Sequence, residues 1–449
     1  MKSKKRSARD SNQMDRAMKT KKRSARDLIS YLPCDHVMEN ILKRLILRDA
    51  VRTSILSREW RYKWATLPAL VLLFSSQLKL SDNQDFNDVV INQILMIHRG
   101  PVKEFEVRYM DLESCRYLPQ WFDLLSKYHL QRLFLHWWLG PKGYGRLPSN
   151  FFSFSQLRYL YLSKCVLRPP SSFKGLSSLV SLEFDNVKIK THKLSSLISK
   201  SPFLERVVIR NLCDKFKTLR ICASKLKKFL FLGIASSIYF VNVPLLEEVH
   251  IVFSGRSDEV LPYKVKQDNF MKSLAQLSSI TKLVLNGFLK SAVAMALDGV
   301  WQNLTFDMNH LRILGLEISS YELAEVSCAM CLIRSAPNLE SLNFIISAHD
   351  MQISTTTLFL VRQHEHIISF NGLKKVSIWW LGCKEPDIEL VQLIFSFSPA
   401  LEKFIISPSY EGSCLLDYLV SMPKASPKVE IVLDYMDTES KVFDFMSSV

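Results

Sequence analysis

The strongest constraint on this chain is a short pattern that recurs along it. Its clearest copy is Leu157-Arg-Tyr-Leu160-Tyr-Leu162, a Leu-x-x-Leu-x-Leu run closed by Cys165 at the ninth position. Looser copies, with Val, Ile or Phe in place of Leu, begin at Val102, Leu130, Leu179, Leu204, Leu226, Leu246, Ile280, Leu311, Leu339, Leu373 and Leu401. Consecutive copies start 20 to 34 residues apart, about 27 on average. A unit of that length holds one strand and a return segment, buries no core alone, and must stack on its neighbours. Strand side chains alternate, so the fourth and sixth positions of each copy point into the core, and the third, fifth and seventh point outward. The expected array is α/β, an irregular solenoid with parallel strands on its concave face.

The pattern is the leucine-rich-repeat signature. Its outward positions read Tyr159, Tyr161 and Ser163; Ser181, Glu183 and Asp185; Arg206, Val208 and Arg210; Lys228, Leu230 and Leu232. Farther along they include Lys282, Glu317, Lys375, Trp379 and Lys403. Tyr, Trp and Arg are residue types that anchor protein interfaces. Tyr159, Tyr161, Arg206, Arg210, Lys228, Lys375 and Trp379 are therefore the candidate residues for holding a target protein.

Of the 449 residues, 48% are hydrophobic and only 13 are Gly and 17 Pro, so most of the chain can bury a core and is not expected to be disordered. The longest apolar stretch, Leu67 to Phe74 counting Pro68, is far short of the roughly 20 residues of a membrane span, and no membrane partner is expected. No secretory segment is apparent, so the nine Cys are read as thiols and the expected location is the nucleus, the cytoplasm or both. The formal charge is +16, but residues 1–26 carry eleven Lys or Arg against Asp10 and Asp15, a net +9, which leaves +7 for the rest. Within that tail, Lys-Lys-Arg-Ser-Ala-Arg-Asp begins at Lys4 and again at Lys21, with no hydrophobic period to fold it. Residues 1–26 read as a disordered basic tail, of a kind that import receptors or phosphates engage. The modest charge of the remainder requires no nucleic-acid partner.

Between the tail and the repeats lies a helical module. Leu32-Pro33 opens it, with Pro suited to a first helical turn. Val37, Ile41 and Leu45 then recur four apart beside Met38 and Leu42, one apolar stripe. A second helical run from Asp49 to Leu56 carries Val51 and Ile55, and Leu56, Trp60 and Trp64 continue the spacing into a third. Three helices in some 40 residues make a small core, so surplus apolar surface must be covered by a partner or by the rest of the chain.

Leu32-Pro33, Ile41-Leu42, Arg48-Asp-Ala-Val-Arg-Thr-Ser-Ile-Leu-Ser-Arg58 and Trp60-Arg-Tyr-Lys-Trp64 resemble the F-box of plant F-box proteins. His98-Arg-Gly-Pro101, Cys165-Val-Leu-Arg-Pro-Pro170 and Phe173-Lys-Gly-Leu-Ser-Ser-Leu179 resemble segments of the same F-box/FBD/LRR-repeat family, and residues from Gly372 onward resemble its FBD module. The resemblance implies a small three-helix F-box at 27–72, a linker or cap at 73–101, leucine-rich repeats at 102–370 and FBD-like repeats at 371–449. It also implies that the F-box docks a Skp-type adaptor, and through it a cullin scaffold, while the array holds a target protein for ubiquitination. The implied adaptor face comprises Leu32, Pro33, Val37, Ile41, Leu42, Leu45, Ile46, Val51, Ile55, Leu56 and Trp60. One departure stands out: Ile46 occupies the place of a second Leu-Pro proline, and the lost rigidity is expected to cost a few tenths to about 1 kcal/mol and to weaken docking.

Catalytic and metal motifs are sparse. Cys328-Ala-Met-Cys331 is a lone Cys-x-x-Cys in a helical run, where two buried thiols packing on a neighbouring repeat is the better account than half a zinc site. His364-Glu-His366 lacks a placed third ligand. The sequence has no Gly-rich phosphate loop, no Gly-x-Ser-x-Gly and no His-Glu-x-x-His, so no catalytic residues, metal or cofactor are expected. The expected function is the non-catalytic substrate-recognition subunit of an SCF-type ubiquitin ligase. The alternative is a non-catalytic nuclear scaffold that binds nucleic acid or protein through its basic tail and array.

Overall fold

The computed structural model describes residues 35–73, 84–111, 115–138, 143–212, 218–234, 238–253, 277, 279–287, 307–320, 322–347, 370–409 and 415–434. The basic tail, Leu32, Pro33, His364 and His366 lie outside these residues. Two compact units divide the chain, residues 1–166 and 167–449. Among the described residues no helix is long and apolar enough to cross a membrane.

The first unit opens with helices α1 (Asp35–Leu42) and α2 (Leu47–Arg52), followed by 3-10 turns at Thr53–Ile55 and Trp60–Thr66. The expected third helix is thus a tighter 3-10 segment, which still buries Trp60 and Trp64 on one side. These two rings pack with Met38, Leu42, Leu47 and Ala50 as the module's core. Strands follow: β1 (Ala69–Leu73), β2 (Glu104–Asp111), β3 (Arg132–Trp138), β4 (Gly145–Arg146), β5 (Tyr159–Ser163) and β6 (Cys165–Val166). β1, β2, β3 and β5 form one parallel ladder, in which Leu70, Phe105, Leu133 and Leu160 stand side by side. β4 and β6 make a separate short pair. The ladder starts at Ala69, ahead of the first repeat expected at Val102, and β1 straddles the expected boundary at 72. Leu67-Pro-Ala-Leu70-Val-Leu72 is itself a Leu-x-x-Leu-x-Leu hexad, with Leu70 and Leu72 buried at its fourth and sixth positions.

Helix α3 (Gln84–Ile97) returns from β1 to β2, and α4 (Leu118–Lys127) from β2 to β3. Pro119 sits in the first turn of α4, where no backbone donor is lost, and Leu118, Trp121, Phe122 and Leu125 recur at helical spacing on its buried side. Phe122 packs on Phe151 and Phe154 with ring centroids 5.8 and 5.6 Å apart.

His98-Arg-Gly-Pro101 clips the helical module to this ladder. The Arg99 N–H donates to the Ala65 carbonyl at 2.8 Å, while Lys103 and Glu104 both donate to the Pro68 carbonyl at 2.7 and 3.0 Å. The Arg99 guanidinium lies 5.1 Å from the Tyr62 ring centroid. Gly100 passes so close that a Cβ there would meet the Thr66 carbonyl oxygen at 2.8 Å. His98 is buried edge-on to Tyr128.

The second unit carries a ten-strand parallel run: β7 (Ser181–Asp185), β8 (Arg206–Arg210), then past β9 (Leu219–Ile221) to β10 (Lys228–Gly233), and past β11 (Ile238–Phe240) to β12 (Glu248–Phe253). It continues through β13 (Lys282–Asn286), β14 (Ile313–Ile318), β15 (Ser341–Ile346), β16 (Lys375–Leu381), β17 (Lys403–Pro408) and β18 (Glu430–Leu433). Longer repeats return through helices α5 (Thr191–Ser199), α6 (Leu323–Arg334), α7 (Glu385–Phe397) and α8 (Leu415–Ser421). The repeats that start at Leu204 and Leu226 are only 22 and 20 residues long and return through β9 and β11, which pair in parallel.

The alternation expected within each copy is present. Fourth and sixth positions such as Leu182, Phe184, Val207, Ile209, Phe229 and Phe231 are fully buried. At the eighth position the backbone turns left-handed, with φ of 53° at Lys164, 52° at Asn186, 48° at Asn211 and 64° at Gly287. Asn and Gly tolerate that region best, and the turned N–H groups of Asn186 and Asn211 donate to Arg210 and Leu232 on the next strands at 2.9 and 2.7 Å. Farther on, Glu325 in the first turn of α6 accepts the Ser319 N–H at 2.7 Å, and Asp387 in the first turn of α7 accepts the Ser320 hydroxyl at 2.5 Å. Burial pushes the Asp387 carboxyl above its ordinary range, opposed by the Ser320 bond and by Lys384.

Two predictions follow from the clip. Gly100→Ala forces Thr66 to move and is expected to lower stability by about 1–3 kcal/mol in urea unfolding. Burial pushes the His98 imidazole below its ordinary value of 6.5, partly offset by the Gly100 backbone. The unfolded chain then binds the proton more readily, so His98 contributes stability above pH 6.5 that is lost as pH falls from there towards the folded value. His98→Gln is expected to flatten the decline in unfolding free energy between about pH 7 and pH 5 relative to the unmutated chain.

Candidate functional site

The helical module divides its apolar residues between two faces of α1. Met38 and Leu42 are buried in the core, while Val37 and Ile41 lie about 100° around the helix and, with Leu45 in the turn that follows, are 37–39% exposed. Ile46, Leu56 and Ile55 are exposed as well, Ile55 at 88%. Two residues expected on the adaptor face, Leu42 and Trp60, instead belong to the core, because the module is too small to close without them. Val51 is half-buried. Salt bridges Lys43–Glu39 at 2.8 Å and Arg52–Asp49 at 3.1 Å flank the exposed row.

In the first unit the outward face of the ladder is a cation–aromatic surface. Register places Glu104, Arg132 and Tyr159 in one row, Glu106, Phe134 and Tyr161 in a second, and Arg108 and His136 in a third, where Ser163, expected outward, is instead fully buried. Phe134 stacks on Tyr161 with centroids 3.9 Å apart, and His136 Nδ1 lies 3.2 Å from the Tyr161 hydroxyl. Arg132 lies 4.4 Å over Tyr159 and Arg108 4.6 Å over Phe134, while Arg108 also pairs with Glu106. Tyr159 and Tyr161 therefore sit together as expected. Arg108, Arg132, Phe134 and His136 complete the surface and were legible at the third, fifth and seventh positions of the copies at Val102 and Leu130.

Outward cations of the second unit are mostly held by neighbouring acids. Arg206 and Arg210 both reach Glu183, with Arg206 at 3.2 Å, and Val208 between them is fully buried. Lys228 pairs with Glu248 at 2.9 Å. Desolvation lowers the Lys282 pKa, offset by Glu248 and reinforced by Lys228. Leu230 is also buried, so Val208 and Leu230 are not the open outward positions that alternation predicts. Lys375 and Lys403 stand in register on β16 and β17, exposed and without an ion pair among the described residues. The expected exposed tryptophan is corrected as well: Trp379 is buried, and a register shift after it, with φ of 61° at Trp380, turns Trp380 outward at 37% exposure.

Cys328 and Cys331 are buried in α6, where desolvation raises both thiols, Cys328 to about 12. They are protonated at neutral pH and pack as apolar groups. Among the described residues, no group of three His, Cys, Asp or Glu is placed to hold a metal.

The family model described as FBD-associated F-box protein At5g56370, LRR repeats, matches residues 118–344, half of the chain. The chain belongs to the plant F-box/FBD/LRR-repeat family. The F-box/FBD/LRR-repeat protein At1g13570 of Arabidopsis thaliana is 29% identical over 421 residues, covering 90% of this chain and 98% of that protein. The putative F-box/FBD/LRR-repeat protein At2g05300 is 27% identical over 439 residues, covering 91% and 97%, and F-box/LRR-repeat protein 13 is 26% identical over 465, covering 91% and 96%; both are from the same plant.

Within this F-box/FBD/LRR chain, Ile46 is the residue immediately before α2, with φ of −63° and ψ of 149°. That φ is proline's own, and the Ile46 carbonyl already accepts the N–H groups of Asp49 and Ala50 at 2.9 and 3.0 Å. The turn is therefore formed without proline, and what the isoleucine lacks is restriction of the unfolded chain. Ile46→Pro is expected to raise stability by about 0.4–1 kcal/mol in denaturant unfolding, with the fold unchanged.

Proposed function

We propose that the chain is the substrate-recognition subunit of a Skp–cullin–F-box ubiquitin ligase, with the F-box docking the adaptor and the array holding a target protein. The observation that carries this reading is the exposed set Val37, Ile41, Leu45, Ile46, Ile55 and Leu56 on a module whose own core is already closed by Met38, Leu42, Trp60 and Trp64. A module of this size has no further internal use for six exposed large aliphatic side chains, and a concentration of exposed apolar residues on so short a segment marks a protein contact. The relatives bear F-box and LRR names over nearly their whole lengths, and none of those names describes an enzyme.

On the array, the Arg108–Phe134–Tyr161–His136 cluster and the exposed pair Lys375 and Lys403 are the surfaces we assign to target contact. Rigid aromatic and guanidinium groups supply much of the energy of protein interfaces. A receptor of this kind acts by proximity: it holds a target lysine near a charged ubiquitin carrier and raises its effective concentration without supplying an acid or base.

Co-purification with a Skp-type adaptor tests the reading. Ile41→Asp and Ile55→Asp are expected to reduce adaptor recovery by at least about tenfold, since each places a charge at the centre of the apolar contact. Circular dichroism should stay native, because both side chains are exposed. An adaptor that fails to bind the unmutated chain, or binds both variants equally well, overturns the proposal.

A further inference from the structure

Lys190, Thr191, His192, Ser195, Thr218 and Arg220 line a cavity of about 650 Å³ at the start of α5, beside β9. Its lining residues carry three nitrogen bases and three hydroxyls, and no carboxylate stands among the described lining. On the nearby strands β8 and β10 the sheet-face cations are held by acids, Arg206 and Arg210 by Glu183 and Lys228 by Glu248. Lys190, His192 and Arg220 are exposed and have no ion pair among the described residues. Lys190 and Arg220 thus share one site with no acidic partner among the described residues, and a bound anion offsets the repulsion between two like charges.

The backbone supports the same chemistry. Lys190 precedes α5 in an extended conformation, φ −65° and ψ 138°, and no side chain caps the first turn. The N–H groups of Thr191 and His192 are thus left without a partner among the described residues. A guanidinium offers paired donors to a polyoxygen anion, a lysine adds a point charge, and the hydroxyls donate singly. A tetrahedral phosphate has enough oxygens to engage these donors together, whereas a carboxylate has two. The volume falls within the roughly 300–1,000 Å³ of small-molecule sites.

We infer that this cavity binds a small, soluble ligand that carries a phosphate group. None of its lining residues is among those assigned to target or adaptor contact, so the inference stands or falls independently of that reading.

Calorimetric titration of the full chain with inorganic pyrophosphate at low ionic strength tests the assignment. Saturable one-to-one binding is expected, weakened about tenfold or more by Arg220→Ala and by Lys190→Ala, with Arg220→Lys intermediate because it keeps the charge and loses the paired donors. Lys428→Ala, an exposed lysine remote in sequence with no assigned role, should bind as the unmutated chain does. Absence of saturable binding, or equal weakening by Lys428→Ala, overturns the proposal. Arg220-dependent sedimentation with phosphatidic-acid vesicles in the absence of pyrophosphate binding would assign the cavity to a lipid headgroup and overturn the soluble-ligand reading. The lining cations are exposed, and thermal unfolding of each variant is expected to match the parent.

Discussion

A strand in this chain has nothing to bond with inside its own repeat. Its N–H and C=O groups find partners on the strands before and after it, in parallel register, and its two inward side chains find theirs in the adjacent copies. Both requirements act sideways, so one repeat cannot fold without the next and the hexad has to recur. The left-handed residue at the eighth position serves the same end, since it turns the chain off the sheet while keeping its N–H on the neighbouring strand. Everything between the strands is free to vary, and it does, from the 12-residue α6 to the three-residue β9.

The F-box module faces the opposite problem. It is short, and its core is closed by Met38 and Leu42 of α1 together with two tryptophans on a 3-10 segment. Consumption of those residues inside leaves the neighbouring stripe of α1 outside, a consequence of the 100° step between consecutive helical residues. A core this small gains from attachment to the first ladder, and the Ala65, Thr66 and Pro68 backbone contacts of residues 99–104 provide it.

Charge follows a third logic. On the sheet face of the second unit, cations of one repeat meet acids of a neighbouring one, directly across for Lys228 and Glu248 and diagonally for Arg206 and Arg210 on Glu183, because strands about 4.8 Å apart bring such positions within reach of long side chains. Such exposed or half-exposed pairs contribute at most about 1 kcal/mol each. Their larger effect is to decide which cations remain without an ion pair among the described residues: Lys375 and Lys403 on the face, and Lys190 and Arg220 beside α5. The formal charge of +16 carries none of this information, being concentrated in a tail outside the described residues.

Alternation and period, read from Leu157-Arg-Tyr-Leu160-Tyr-Leu162 and its looser copies, determined the parallel α/β array, the inward residues and the aromatic pair Tyr159 and Tyr161. They did so because a two-residue side-chain period and a lateral bonding requirement are local properties of strands. Leu42 and Trp60 were misassigned to an outer face because a helical stripe in sequence does not say which edge the rest of the module covers. Trp379 and Trp380 exchanged places through a one-residue register shift, which no hydrophobic pattern announces. The engagement of Arg206 and Arg210 by Glu183, the burial of Val208 and the placement of Lys190, His192 and Arg220 around one cavity were decided by tertiary structure alone. Each depends on distances between residues of different repeats, which the return segments set and the hexads do not encode.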